Sequence, residues 1–319
     1  MSTKSSSPLF LNGWVDFNCQ KWDLEAEAVN LHSDGKELPA VSAVFFFGRN
    51  GQLKHPPLNP YLSIDFQSTS TSANHRLEFQ WLSSCEPLVA NMLKRGLSTI
   101  VPLPPHVLDV RPWQHVQFDV GVKYTYLIDF PYHLDQADQS VRKNVTRAER
   151  LGYLCVRTTD MKPVEECLLA TAQRQKFPLQ LSRDDLELAQ RLIGEEHCRA
   201  YVAYASNGEP VSAKVVLHCA GGRALAWLAG TKTNHLQSGV NQILNWHVLQ
   251  ELEQLGATGI DMVGANLASV SAAKAKWGGT LVPYFILHPT GVKGFVQSLS
   301  RTLHLRQSPL GGLIRGVKH

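Results

Sequence analysis

The sequence predicts an α/β (α+β) fold of two tandem, related domains, each a mixed central sheet flanked by helices. Three observations carry this reading. Residues 199–288 run strand, strand, strand, helix, strand, helix, strand, and a helix between neighbouring strands implies a crossover connection and hence a mixed sheet. The first half holds a fainter copy of the same hairpin–helix–strand run. A chain of 319 residues with 44% hydrophobic content also suffices for two ordinary domains.

Taken in order, AVSAVFFFGRNGQLKH is an apolar strand that meets the hairpin signal Asn50-Gly51. HRLEFQWLSSCEPLVANMLKRG is helical, with Pro87 expected to break or kink it into shorter pieces and Gly96 at its end. LSTIVPL and VKYTYLIDF follow as strands. SVRKNVTRAERLGY places Val141, Val145 and Ala148 on one helical face, so Arg142, Lys143, Arg147 and Arg150 point mostly elsewhere, and Gly152 stops the helix.

In the second half RAYVAYA alternates into Asn207-Gly208 before PVSAKVVLHCA, and Gly221-Gly222 turns into RALAWLAG. GVNQILNWHVLQELEQLG spaces Ile243, Trp246, Leu249 and Leu252 by three, one apolar helix face closed by Gly256. TGIDMVG is a short buried strand, LASVSAAKAKWGG a helix, and TLVPYFILH the last strand. The basic tail is weakly amphipathic and reads as a closing helix in preference to a surface-binding segment. The expected division is 1–130, with 291–319 packed on it, and 131–290.

Composition excludes several classes. A formal charge of +4 is too small to argue for nucleic acid by itself. The start lacks the apolar stretch of a signal peptide, and no run is long enough to span a bilayer, so a cytoplasmic protein is expected. The six cysteines are scattered without a CxxC pair, which fits reduced thiols, and the thirteen histidines form no ligand-spaced cluster, so no metal is expected.

Four stretches carry a resemblance to a known family. They are PPLNPYLSIDF (56–66), VRPWQHVQFDVGVKYTYLIDF (110–130), SVRKNVTRAERLGY (140–153) and DMVGANLASVSAAKAKWGGTLVPYF (261–285). In order and spacing, over about residues 10–290, they resemble the Fem-type peptidoglycan aminoacyltransferase branch of the GNAT N-acyltransferase superfamily. The resemblance implies two GNAT-like domains facing across a cleft and amide formation on a primary amine. The donor it implies is aminoacyl-tRNA, and the acceptor a peptidoglycan precursor or a related small amine, with no tightly bound cofactor. Members carry a phenylalanine where Ala273 stands and an apolar residue where Asp65 stands. The Q/RxxGxG/A loop that takes acyl-CoA is reduced to HLQSGVNQ, which disfavours that donor but leaves a helix N-terminus, with Asn241, as an anion site.

Lys274 matches the family lysine held to lie at the acyl donor or the developing oxyanion. Without that match it reads as a solvated lysine near a helix C-terminus. Asp261 either orients or deprotonates the amine or caps the following helix, where Asn266 is the better-placed residue. Arg142, Lys143 and Arg147 either hold phosphates of tRNA or of a nucleotide-linked acceptor, or form an ordinary charged face. Tyr61 is placed at the acceptor site and Trp277 and Tyr284 in the core, and the fold that the resemblance implies puts the oxyanion N–H within 225–231. The rival functions are an acyl-CoA or acyl-carrier transferase and a non-catalytic glycan- or peptide-binding module; nothing in the sequence reads an oligomeric state.

Overall fold

The computed structural model describes residues 7–32 and 39–289, so the expected docking of the 291–319 tail lies outside the described residues. The chain opens with α1 (Asn12–Trp22), β1 (Glu25–His32), β2 (Pro39–Phe47), β3 (Ser63–Phe66) and α2 (Asn74–Arg95). The three strands form an antiparallel sheet in the order β1-β2-β3. One side of α2 buries Trp81, Cys85, Leu88, Val89 and Met92 in the adjoining core. The helix does not break at Pro87. Pro87 and Ser83, whose carbonyl loses its helical partner, both lie on the exposed face, where that carbonyl is open to solvent.

There follow β4 (Val101–Pro102), α3 (Arg111–His115), β5 (Val120–Asp129), α4 (Gln139–Arg150), β6 (Leu154–Thr158), α5 (Lys162–Gln175) and α6 (Arg183–Ile193). The remainder is β7 (Cys198–Tyr204), β8 (Pro210–Leu217), β9 (Arg223–Thr231), α7 (Val240–Gln254), β10 (Gly259–Asp261), α8 (Ala268–Ala275) and β11 (Thr280–Leu287). One eight-stranded sheet takes the order β4-β11-β5-β10-β9-β8-β7-β6. Neighbours pair antiparallel except β9 and β10, which run parallel because α7 crosses between them. The α/β class and the mixed sheet are those the sequence predicts. Strands β4 and β5, from the first 130 residues, are built into this larger sheet.

Both faces of the large sheet are packed. One carries Trp14 and Phe17 of α1, Val164 and Leu168 of α5, and Trp227 of β9. The other carries Val141 and Val145 of α4 with Val240, Leu244, Val248 and Leu252 of α7. Helix α4 thus buries the face expected of it. Helix α7 does so in part: Leu249 and Leu252 are buried as expected, but Ile243 and Trp246 are only half-buried, and Val240, Leu244 and Val248 face inward in their place. A straight helix repeats every 3.6 residues, so a spacing of four tracks a buried face better than one of three. Among the described residues no helix is long and apolar enough to cross a membrane.

Candidate active site

The site begins as a gap in the large sheet. Strand β10 pairs with β9 only at Gly259–Asp261 against Arg223–Leu225. Beyond Asp261 the chain keeps to β5, with Met262 N and Ala265 N donating to Tyr126 O and Tyr124 O. Strand β9 runs on to Thr231 beside β8, so the two strands separate. Residue 227 is a bulge, because Val215 pairs with Leu228 and Val216 with Ala226. Its indole Nε1 donates to Leu58 O at 3.1 Å, tying β9 to the 56–60 loop.

The N–H groups of β9 alternate sides. Lys232 N bonds Val211 O, whereas Thr231 N turns away from β8 to Thr171 Oγ1. Ala229 N therefore lies on the side away from β8, facing the gap, and its side chain is exposed although it sits mid-strand in the large sheet.

Across the gap stands a buried cluster around Asp261, which is 1% exposed. Its Oδ2 accepts from Tyr61 OH at 2.8 Å, and its Oδ1 from Thr125 Oγ1 at 2.6 Å and Val263 N at 2.7 Å. Burial pushes the Asp261 carboxyl up, while Thr125, Val263, Tyr61 and the Lys274 ammonium oppose it. Burial first, then the adjacent Asp261, pushes the Tyr61 phenol well up, so it stays a donor. The Tyr284 ring meets that of Tyr61 edge-on, centroids 5.3 Å apart, and its hydroxyl accepts from Asn266 Nδ2 at 3.2 Å. Asp261 caps no helix; α8 begins at an N-cap, Leu267, that has no side-chain cap, and Asn266 bonds the Tyr124 backbone instead.

Lys274 closes the cluster. Its Nζ donates to Met262 O at 2.5 Å, Val263 O at 2.8 Å and Gly264 O at 2.6 Å, which uses all three ammonium protons. The turn it grips is strained, since Val263 has φ 47°, and a β-branched residue there costs about 1–2 kcal/mol. Burial lowers the Lys274 ammonium to about 8, with Asp261 holding it up. The family resemblance implies that Lys274 lies at the acyl donor or the developing oxyanion; here its protons go to backbone carbonyls beside the gap.

Of the other sequence-predicted site residues, one lies on α7 and three on α4. Asn241 is exposed in the first turn of α7. Helix α4 packs on the N-terminal end of α7 so closely that a Cβ on Gly239, with φ 90°, would lie 2.2 Å from Asn144 O. Arg142, Lys143 and Arg147 project from the exposed side of α4, and among the described residues none has an ion pair. Trp277 and Tyr284 are buried, as expected.

Sequence reasoning missed Thr125, the bulge at 227, and Lys214. Lys214 lies mid-β8, is 8% exposed, and its Nζ donates to Asn245 Oδ1 of α7. The signal was a lone charged residue inside a mostly apolar run, PVSAKVVL.

Residues 137–269, which include β9 and β10, match the model of the acetyltransferase (GNAT) domain. No curated protein matches by sequence. Among solved structures the chain is similar to FemX, with TM-score 0.62, 13% identity, and 87% of this chain and 91% of that one covered. It is also similar to the C-terminal domain of a putative lysylphosphatidylglycerol synthetase from Agrobacterium fabrum, with TM-score 0.58, 11% identity and 90% of each chain covered. For L-PGS from Bacillus licheniformis the TM-score is 0.54 at 12% identity, covering 81% of this chain and 85% of that one. At such identities the likeness is one of fold.

Proposed function

We propose that this protein is a cytoplasmic N-acyltransferase that joins an aminoacyl group, delivered as the ester of aminoacyl-tRNA, to a primary amine. The observation that carries the reading is the bulged separation of β9 from β10, within a GNAT-type domain. It presents Ala229 N–H at an opening that no strand among the described residues fills, where a backbone donor stabilises a carbonyl oxygen as it becomes an oxyanion. The nucleophile is the acceptor's own amine, so the protein supplies position, proton transfer and oxyanion stabilisation. Asp261 and Lys274 hold the strained 262–264 turn that forms the opposite wall of the gap. Tyr61 brings the first half of the chain to that wall.

Support for a tRNA donor comes from the exposed Arg142, Lys143 and Arg147, without an ion pair among the described residues, on the helix that packs on the α7 N-terminus, a set suited to phosphates. The resemblance of the four sequence stretches to the Fem type favours a cell-wall precursor amine as acceptor. The test is mass spectrometry of amine acceptors incubated with the protein and either charged tRNA or an acyl-CoA mixture. A gain of one aminoacyl residue with charged tRNA alone is expected. A gain with acyl-CoA alone would replace the donor, and no gain with either would remove the transferase reading.

A further inference from the structure

Lys214 is a buried amine that pairs with no acidic group among the described residues. It lies in the middle of β8, between Tyr201 of β7 and Ala229 of β9, its direct cross-strand neighbours on the same face of the sheet. Ala229 is exposed, so the gap between β9 and β10 opens directly beside the lysine. Its Nζ reaches the neutral amide of Asn245 on α7. The acids nearby are committed elsewhere. Glu251 of α7 accepts from Arg199 Nη1 at 2.9 Å and Tyr201 OH at 3.0 Å, and Asp261 is held by Tyr61, Thr125 and Val263.

The remaining groups on its neighbours do not supply a counter-charge. His247 of α7 stacks edge-on against Tyr201, and α5 packs on the opposite face of the sheet with Cys167 in the core. The charge that bears on Lys214 is the ammonium of Lys274, which is of the same sign. An ammonium buried without a counter-charge is costly, so the group favours its neutral amine, which keeps a lone pair after donating to Asn245.

Resting on the transferase reading above, we propose that Lys214 is the proton-transfer group of this site. As the acceptor amine adds to the carbonyl carbon, its nitrogen becomes positive, and the Lys214 lone pair takes one proton from it. The tetrahedral intermediate then collapses, the bond from carbon to the donor's leaving oxygen breaks, and that oxygen takes both the bonding pair and the lysine's proton. The products are an amide and a free hydroxyl, and Lys214 returns to its neutral form. Burial, with the Lys274 ammonium as second cause, lowers Lys214 to about 7, where a base is effective near neutral pH.

Two measurements test this. In lysine-selective NMR titration of the full chain, one side-chain resonance titrates near 7 and is absent from Lys214→Met. Asn245→Asp, which sets a carboxylate against the amine, moves that midpoint up by more than one unit, an assignment that holds even where Lys214→Met folds poorly. In the transfer assay kcat/KM falls on the acid side with the same midpoint. Lys214→Met loses that limb and about 10²–10⁴-fold in kcat, and Lys214→Arg, which cannot deprotonate, does not restore it. A Lys214 titrating near 10, or an acid limb kept in Lys214→Met, overturns the proposal while leaving the transferase reading intact. Absence of transfer from any donor in the wild type overturns both.

Discussion

At the scale of residues, two lysines with opposite dispositions face the gap. Lys274 is saturated by three carbonyls, whereas Lys214 has a single neutral partner. Lys274→Met strands those carbonyls at a turn already strained at Val263. Thermal denaturation should show a loss of about 2–4 kcal/mol, and transfer should fall with it. Tyr61→Phe removes one donor from buried Asp261 and should cost about 1–3 kcal/mol on the same measurement. The pH dependence has a definite sign. Lys214 loses its proton near 7 when folded but holds it to 10.5 when unfolded. Between those values the unfolded chain binds more protons, so stability rises with pH across that window. Denaturant titrations should show the rise in the wild type and a smaller one in Lys214→Met.

At the scale of elements, the contact of α4 with the start of α7 sets where the basic face lies. Gly239→Ala drives a Cβ into Asn144 O and keeps a left-handed backbone. It should destabilise by about 2 kcal/mol or more in denaturant titration. The triple variant Arg142→Glu, Lys143→Glu, Arg147→Glu breaks no ion pair among the described residues, so its melting temperature should stay near that of the wild type. Its affinity for tRNA should fall, and the dependence of log affinity on log salt should flatten by about 2. The α4 face was legible because Val141, Val145 and Ala148 repeat at helical spacing beside charged residues. The inward face of α7 was legible only in part: Leu249 and Leu252 are buried as their spacing implies, but Val240, Leu244 and Val248 are equally apolar, and packing selects them over Ile243 and Trp246. Pro87 was misread for a related reason: its effect depends on whether the orphaned Ser83 carbonyl faces water or core.

At the scale of the molecule, local patterning read the order of elements in the second half but not the company they keep. Strands β4 and β5 precede residue 130, yet they pair with β11 and β10 from the far end of the chain, and no local pattern specifies partners so remote. The same limit applied to the site. Asp261 and Tyr61 were each singled out, but their hydrogen bond joins residues 200 apart in sequence. The opening of the sheet leaves no mark in the sequence beyond small residues at 229 and 230. That opening is the central claim, and Ala229, exposed on its wall, gives the most direct access to it. The decisive measurement is the transfer rate of Ala229→Trp, with its melting temperature as control. Filling the gap should leave melting unchanged within about 2 °C and lower transfer at least about 100-fold. A correctly folded variant that transfers at the wild-type rate would place the chemistry elsewhere in the molecule.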